Sequence, residues 1–252
     1  MRLKLITYNI WHGTKLDGVV EFLKQEPADI VCLQEVGTQG RGLAADETTN
    51  IYEFLAQALG MKGEYRRMLW GDIGKGQFDL GVAIFSRLPM GQTVDFRYER
   101  TKDIDEILEP ALRDRFFLPR VLLGVELTLG QRKLWVMTTH MTITSDAGES
   151  NRQKESIIEV KGFLKNYEEY ILCGDMNIPY GTETYRLLAD GLADISNPKE
   201  PTLHPTVHKV GEMGYHVDYV FLKSETIKPI LTRIPVIEAS DHLPVVVELE
   251  VY

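Results

Sequence analysis

Cysteine is scarce in this sequence, with two residues in 252, which excludes a disulfide framework and the paired ligand spacing of a zinc site. Cys32 and Cys173 each lie inside an apolar run, which predicts small buried residues. No apolar run reaches transmembrane length and no signal-peptide pattern is present, so we expect a cytoplasmic protein. No proline-, glycine- or serine-rich linker divides the chain, which favours one domain over residues 1–252.

Basic charge is also scarce. The chain has 28 Lys and Arg against 37 Asp and Glu, a net charge of −9. This balance argues against a broad basic surface for nucleic acid, although a bound cation and a few local arginines could hold a short strand. The evident arginine groupings are Arg66–Arg67 and Arg113–Arg115–Arg120.

Several short apolar runs each end at a polar residue. Runs of this length predict buried strands, and ligands of open α/β sheets gather at strand ends. We therefore expect one sheet edge to collect the polar residues that follow these runs. Oxygen-rich ligands with few histidines suit Mg²⁺, whose chemistry is mostly at phosphorus. The residues are Asn9, Glu35, Asp175, Asn177, Asp241 and His242.

Strands and helices alternate irregularly along the chain, which predicts an α/β protein with mixed sheets and helices outside them. Predicted helices cover 16–25, 50–59 with Asn50 as N-cap, a segment starting at Ser150, and 182–190. Predicted strands cover 2–9, 29–35, 81–86, 121–129, 134–139, 170–175, 217–222 and 244–251. Alternation within 121–129 predicts one buried face, and the charge-rich stretch 98–115 predicts a loop or short helix.

The polar strand ends belong to motifs that resemble the Mg²⁺-dependent endonuclease/exonuclease/phosphatase superfamily. The motifs occur in the superfamily's order and span nearly the whole chain. The resemblance implies a four-layer α-β-β-α sandwich, with two mixed β-sheets packed face to face and flanked by helices. The motifs are 7–10 (TYNI), 33–36 (LQEV), 81–87 (GVAIFSR), 120–123 (RVLL), 139–140 (TH), 174–177 (GDMN), 217–221 (VDYVF) and 240–244 (SDHLP).

The resemblance implies a bound Mg²⁺, with Mn²⁺ as the alternative ion. Glu35 is the best candidate for a direct ligand, the alternative being a solvent-facing glutamate after a strand. Asn9 would orient Glu35 or touch the metal through water, or it would only form a turn at the strand end. Asp241 would lie near the metal.

The resemblance also assigns catalytic roles. Asp175 would position or deprotonate the attacking water, and Asn177 would hold the nucleophile or a phosphate oxygen; an Asx-turn is compatible with both roles. His242, with Asp218 as its partner, would bind the oxyanion as imidazolium or move a proton. His140, a residue shared with DNase I-like, sphingomyelinase and phosphatase branches, would donate to the phosphate or protonate the leaving oxygen.

Other candidates have a weaker basis. Arg120 would support the site through a carboxylate or contact phosphate directly. Trp70 and the pair Phe116–Phe117 could stack on a substrate, although packing is the commoner role of aromatic residues. The remaining histidines show no partner in the sequence, and solvent exposure is the expectation for His12, His204, His208 and His216. His216 precedes the Asp218 strand closely enough to stay a site candidate.

Together these features predict a Mg²⁺-dependent phosphohydrolase that cleaves a phosphodiester or phosphomonoester by in-line attack of water. A diester is favoured because no strong basic cluster for a highly phosphorylated ligand is visible. A DNA endonuclease, exonuclease or repair phosphodiesterase is the alternative, and it would need a strand-binding surface. A non-catalytic binding module ranks last, because none of the expected site residues is missing.

Overall fold

The computed structural model describes residues 1–39, 49–72, 77–98, 118–143 and 150–252. These residues contain two mixed six-stranded sheets. The first sheet has the order β11 (Ile227–Arg233), β12 (Val245–Val251), β1 (Arg2–Asn9), β2 (Ile30–Val36), β4 (Gln77–Ser86) and β3 (Lys62–Asp72). The second has the order β5 (Met90–Tyr98), β6 (Arg120–Leu129), β7 (Arg132–His140), β8 (Tyr170–Asp175), β10 (Asp218–Lys223) and β9 (Ala193–Asp194).

The described helices cover the outer faces of the two sheets, so the predicted four-layer sandwich is confirmed. They are α1 (Leu16–Gln25), α2 (Ile51–Leu59), α3 (Asn151–Leu164) and α4 (Glu183–Ala189), with short 3₁₀ turns at Trp11–Gly13 and Gly211–Met213. Helices α1 and α2 pack on the first sheet, and α3 and α4 pack on the second. A third apolar cluster fills the space between the sheets. None of the helices in the described ranges is long and apolar enough to cross a membrane.

The predicted caps of two helices are present. The Asn50 side chain accepts a hydrogen bond from the Glu53 amide, and Ser150 Oγ accepts one from the Gln153 amide. Gln153 does not complete a capping box. Its Nε2 donates instead to the carbonyls of Thr142 and Asn177, which ties the start of α3 to the strand ends described below.

The prediction of one buried face for β6 was wrong. Val121, Leu123 and Val125 pack between the sheets, but Leu122 is buried as well, against the helical layer. A sheet covered on both sides by other layers buries both faces of its central strands. The presence of Gly124 on the outer face of β6 therefore does not mean that this face is exposed to solvent.

Four strands were not predicted from the sequence: β3, β5, β9 and β11. All four are edge strands of their sheets. An edge strand buries less of its surface and often contains charged residues or proline, such as Pro229 in β11. Its alternation of apolar and polar residues is therefore weak. The stretch 98–115 lies outside the described residues except for Tyr98, which ends β5, and Phe116–Phe117 lie outside them too.

The side-chain alternation of the strands places the polar strand ends between the two sheets. Asn9 follows Leu3 and Leu5 on the inward side of β1, and Asp175 follows Ile171 and Cys173 on the inward side of β8. The expectation of a single sheet edge was wrong, because Asn9 comes from the first sheet and Asp175 from the second. Both sheets contribute their strand ends to one site.

Candidate active site

A cavity of about 560 Å³ opens at this end of the sandwich. Most of its polar lining comes from the residues that follow the strands. The described residues that line it are Trp11, His12, Thr14, Glu35, Met68, Leu69, Phe78, Leu80, Leu118, Arg120, His140, Ile143, Asp175, Asn177, His208, Asp241 and His242.

Glu35 reaches the cavity through an irregularity in β2. The pairing of β2 with β4 shifts register between Gln34 and Val36, and Glu35 has a φ of 61°. Bulges of this kind turn a side chain away from the regular alternation of a strand. A non-glycine residue in this region of φ carries on the order of 1–3 kcal/mol of strain, which is commonly found at functional sites.

Backbone strain is concentrated around the cavity. Five non-glycine residues in the described ranges have a positive φ, and four of them line the cavity. Those four are Trp11, His12, Glu35 and Asn177. The surrounding hydrogen bonds hold these residues in place against their intrinsic preference.

Asn9 connects two carboxylates of the site. Its Nδ2 donates to Glu35 Oε1 at 3.3 Å and to Asp175 Oδ2 at 3.1 Å. Its Oδ1 accepts a hydrogen bond from the Trp11 amide at 3.0 Å. Asn9 therefore contacts Glu35 directly, and its role in orienting that carboxylate stays a prediction.

Asp175 is almost fully buried, with 1% of its surface exposed. Its Oδ1 accepts the Asn177 amide hydrogen bond at 2.9 Å, which forms the expected Asx-turn. Asn177 Nδ2 donates to the Met141 carbonyl. Burial raises the pKa of the Asp175 carboxyl to about 7, although the His242 charge lowers it. A carboxylate with a pKa near neutrality suits the transfer of a proton from water.

His242 lies against two buried carboxylates. Its Nδ1 is 2.9 Å from Asp218 Oδ2, and its Nε2 is 3.7 Å from Asp175 Oδ2. Burial lowers the pKa of His242, but the Asp218 and Asp175 carboxylates outweigh that effect and raise the pKa well above its usual range. Of the two roles left open by the sequence, this arrangement favours an imidazolium that stabilises negative charge.

His140 has the opposite electrostatics. It ends β7 beside Asp175, and its Nε2 is 3.5 Å from Asp175 Oδ2. Burial lowers the pKa of His140 well below its usual range, and the positive charges of Arg120 and His242 lower it further. Its Nδ1 has no hydrogen-bond partner among the described residues and is 4.0 Å from Glu35 Oε1. A neutral His140 keeps one N–H group that can donate to a ligand.

Arg120 is buried behind the site. Its Nη1 donates to the His140 carbonyl at 3.3 Å and to Met68 Sδ at 3.5 Å. Burial raises the pKa of Glu35, and the charge of Arg120 offsets a small part of that rise. Arg120 thus contacts the backbone of His140 and lines the cavity, and its role in the site stays a prediction.

The acidic and imidazole groups fit a divalent cation. Burial raises the pKa of Glu35, and the Asp241 carboxylate raises it further, so the two carboxylates repel each other across the cavity. A bound cation relieves such repulsion. Ligand atoms of Asp175, Asp218 and His242 lie within 4.8 Å of one another, and those of His208, Asp241 and His242 do so as well. Oxygen ligands predominate, which suits a hard cation.

The structure does not bring Trp70 to the cavity. Trp70 is not among the described lining residues, and the Arg67 guanidinium lies 5.8 Å from its ring centre. Its neighbours Met68 and Leu69 line the cavity instead. The aromatic residue that lines the cavity near Asn9 is Trp11, which was not singled out in the sequence.

The expectation of solvent exposure was wrong for three of the four histidines, and the fourth, His208, is half-buried. His12, His204 and His216 are buried and accept or donate hydrogen bonds within the fold. His208 lies on the cavity, with its ring edge-on to His242 at 5.7 Å between ring centres. The sequence between 196 and 215 is irregular, so nothing in its pattern indicated that it returns to the site. The structure shows the return: the His204 amide donates to the Asp241 carbonyl.

A third buried carboxylate, Asp79, organises the segment that follows Glu35. Asp79 Oδ1 accepts hydrogen bonds from the Thr38 and Gln39 amides, and Asp79 Oδ2 accepts them from the Thr38 and Tyr65 hydroxyls, all between 2.6 and 2.9 Å. The Asp79 carbonyl contacts His12 Nε2. Asp79 therefore fixes the segment that follows β2.

Asp79→Ala is expected to lower the free energy of unfolding by about 3 kcal/mol, because it removes the shared acceptor of four hydrogen bonds. Urea denaturation measures this change. The control is Asp95→Ala, which removes an exposed carboxylate paired with Arg66 and should cost less than about 1 kcal/mol. Equal losses in the two variants would contradict a structural role for Asp79.

The fold and the site together define a class of protein: an α-β-β-α sandwich with a carboxylate and imidazole site between its two sheets. The chain belongs to the endonuclease/exonuclease/phosphatase family, whose model matches residues 6–242. Members of this family hydrolyse phosphoester bonds and are typically metal-dependent. A search of the curated proteins found no match.

Solved structures share the fold at low sequence identity. An endonuclease/exonuclease/phosphatase from Beutenbergia cavernae is 20% identical, with a TM-score of 0.75 over 99% of this chain and 72% of that one. The human nocturnin catalytic domain, solved with bound sulfate, is 16% identical, with a TM-score of 0.70 over 100% and 95%. A mannosyl-6-phosphatase from Bacteroides thetaiotaomicron is 19% identical, with a TM-score of 0.66 over 98% and 99%.

Proposed function

We propose that this protein is a Mg²⁺-dependent phosphohydrolase that cleaves a phosphodiester by in-line attack of water on phosphorus. The observation that carries the proposal is the continuous set of contacts between the two sheets. It runs from Asp218 through His242 and Asp175 to Asn9 and Glu35. Membership of a family of phosphoester hydrolases supports the same reaction class.

In this proposal each residue has a defined task. Asp175 accepts a proton from the attacking water, since its pKa lies near neutrality. Asn177, held by the Asx-turn, positions that water or a phosphate oxygen. His242 carries positive charge toward the phosphate, and Asp218 holds its ring in place through Nδ1. His140 donates one N–H to a phosphate oxygen or to the leaving oxygen.

Glu35 and Asp241 would hold the cation, with Asn9 fixing the orientation of Glu35. When bound, Mg²⁺ would neutralise negative charge on the phosphate and on the leaving oxygen. Mn²⁺ takes similar oxygen ligands and is the alternative ion.

The lining of the cavity favours a substrate with little negative charge. Its described residues include a single arginine, Arg120, and no lysine. A highly phosphorylated substrate needs several cations to balance its charge, whereas a diester carries one negative charge. A phosphodiester is therefore favoured over an inositol polyphosphate or another multiply charged ester.

Glu35→Gln is expected to raise the Mg²⁺ concentration for half-maximal activity by at least about tenfold, with recovery at high Mg²⁺, because a neutral amide binds the cation less tightly. The measurement is phosphodiester hydrolysis as a function of Mg²⁺ concentration. Glu21→Gln, which changes an exposed glutamate on α1, is the control. Superimposable Mg²⁺ curves for Glu35→Gln and the unmodified protein would place the metal elsewhere.

Weak binding of duplex DNA is also expected. The net charge is −9, and of the arginine groupings in the sequence Arg66 is paired with Glu64 and Asp95. A protein that neutralises several DNA phosphates loses affinity for DNA steeply as the salt concentration rises. The test is DNA binding by the Asp175→Asn variant across a salt series. Tight binding at physiological salt with a steep slope would favour the alternative, a DNA nuclease or repair phosphodiesterase.

A further inference from the structure

The cavity has two chemically different sides. The carboxylates and imidazoles described above form one side. The rest of the lining is mostly apolar, and the part of it that comes from Trp11, from strands β3 and β4 and from the residue two positions before β6 is called the apolar side below. Its residues are Trp11, Met68, Leu69, Phe78, Leu80 and Leu118.

Trp11 is held close to the reacting groups by its backbone. Its φ is 49°, and its amide donates to Asn9 Oδ1, while the Nδ2 of the same asparagine donates to Glu35 and Asp175. The Asn9 side chain thus contacts both the Glu35 and Asp175 carboxylates and the backbone amide of Trp11. The distance between the phosphate-binding groups and the apolar side is set by the fold.

A second aromatic ring is fixed on the same side. Phe78 packs edge-on to His12, with 6.0 Å between ring centres, and His12 Nε2 contacts the Asp79 carbonyl. Phe78 is therefore tied to the residue that follows Trp11. Trp11 and Phe78 both line the cavity, and aromatic lining residues suit a planar ring, because aromatic pairs add about 0.5–1.5 kcal/mol beyond the burial of their area.

The described residues that line the cavity favour an uncharged group on this side. Arg120 is already engaged with the His140 carbonyl and with Met68 Sδ. No lysine occurs among the described residues that line the cavity. Among the described residues, the apolar side therefore offers no partner for a second charged group, and an ion without a partner is costly to bury.

We propose that the apolar side of the cavity is a subsite for an uncharged aromatic substituent of the phosphoester, with Trp11 as the main contact. This inference rests on the proposed function and names the substrate class of the same site. It follows from the apolar wall, from the fixed position of Trp11 beside Asn9, and from the lack of a free cation among the described lining residues.

The test is calorimetric binding of three phosphonates in the presence of Mg²⁺: phenylphosphonate, cyclohexylphosphonate and methylphosphonate. In each of them a P–C bond replaces the P–O ester bond, so the protein can bind the compound without hydrolysing it. We expect phenylphosphonate to bind about tenfold more tightly than methylphosphonate and more tightly than cyclohexylphosphonate. Trp11→Ala should reduce the preference for phenylphosphonate over methylphosphonate to below about threefold and leave methylphosphonate binding unchanged.

Two further variants make the test specific. Leu80→Ala removes another part of the apolar side without touching the turn at Trp11, and it should also lower the preference for the ring. Trp135→Ala removes a tryptophan of β7, in the second sheet, that packs on Tyr167. This variant should keep the full preference for phenylphosphonate. Thermal melting of all three variants shows that each is folded.

Equal binding of the three phosphonates, or a preference that survives both Trp11→Ala and Leu80→Ala, would overturn the subsite. Tighter binding of cyclohexylphosphonate than of phenylphosphonate would overturn its aromatic character. Hydrolysis of phosphodiesters by the unmodified protein is measured separately. Activity without ring preference refutes the subsite alone, whereas ring preference without any hydrolysis refutes the proposed function alone.

Discussion

Asp175→Asn is expected to lower the turnover number by about a hundredfold to ten-thousandfold, the usual contribution of a positioned general base. The amide has nearly the shape of the carboxylate and can still accept the Asn177 amide hydrogen bond, but it cannot take a proton from water. It also removes a negative charge that faces His242. Steady-state kinetics at saturating Mg²⁺ measures the loss.

The control is Asp190→Asn, which changes a carboxylate at the end of α4 that is 83% exposed in its side chain. It should leave turnover unchanged. Thermal melting of both variants separates lost catalysis from lost folding. A folded Asp175→Asn protein with an unchanged turnover number would rule out the role assigned to Asp175.

His242→Ala is expected to lower turnover by at least about a hundredfold, because in the proposed function it removes the imidazolium that stabilises negative charge on the phosphate. It also leaves the buried carboxylates of Asp175 and Asp218 without the imidazolium between them. The variant should therefore lose some stability as well. Turnover and thermal melting are measured on the same preparation.

The partner of His242 provides the matched comparison. Asp218→Asn keeps the ring in place but weakens its positive charge, so it should cost less turnover than His242→Ala. Residues that act as a unit are not additive, and the double variant should be no slower than His242→Ala alone. Additive losses would show that Asp218 and His242 act independently.

The sequence predicted the central strands of both sheets and the residues at their ends. Asn9, Asp175 and His140 each directly end an apolar run, and the strand alternation carries them inward between the sheets. The contacts Asn9–Asp175 and Asp218–His242 join residues that the family motifs had already picked out. The signal was strong because the motif and the strand pattern coincide at the same residues.

Other parts of the site had no local signal. Trp11 and His208 lie on the cavity, yet each belongs to an irregular segment whose path depends on distant contacts. The segment with His208 is held by the bond from the His204 amide to the Asp241 carbonyl. The edge strand β3 was missed because its polar residues, including Arg66, hide its period. Local sequence patterns predict long-range hydrogen bonds and the edge strands of sheets poorly.

The most direct measurement is phosphodiester hydrolysis in ¹⁸O-labelled water by metal-depleted protein, with and without added Mg²⁺. The account predicts turnover only when Mg²⁺ or Mn²⁺ is restored, with one labelled oxygen in the phosphate product and none in the released alcohol, because water attacks phosphorus. Full activity without a divalent cation, or label in the alcohol, would contradict it.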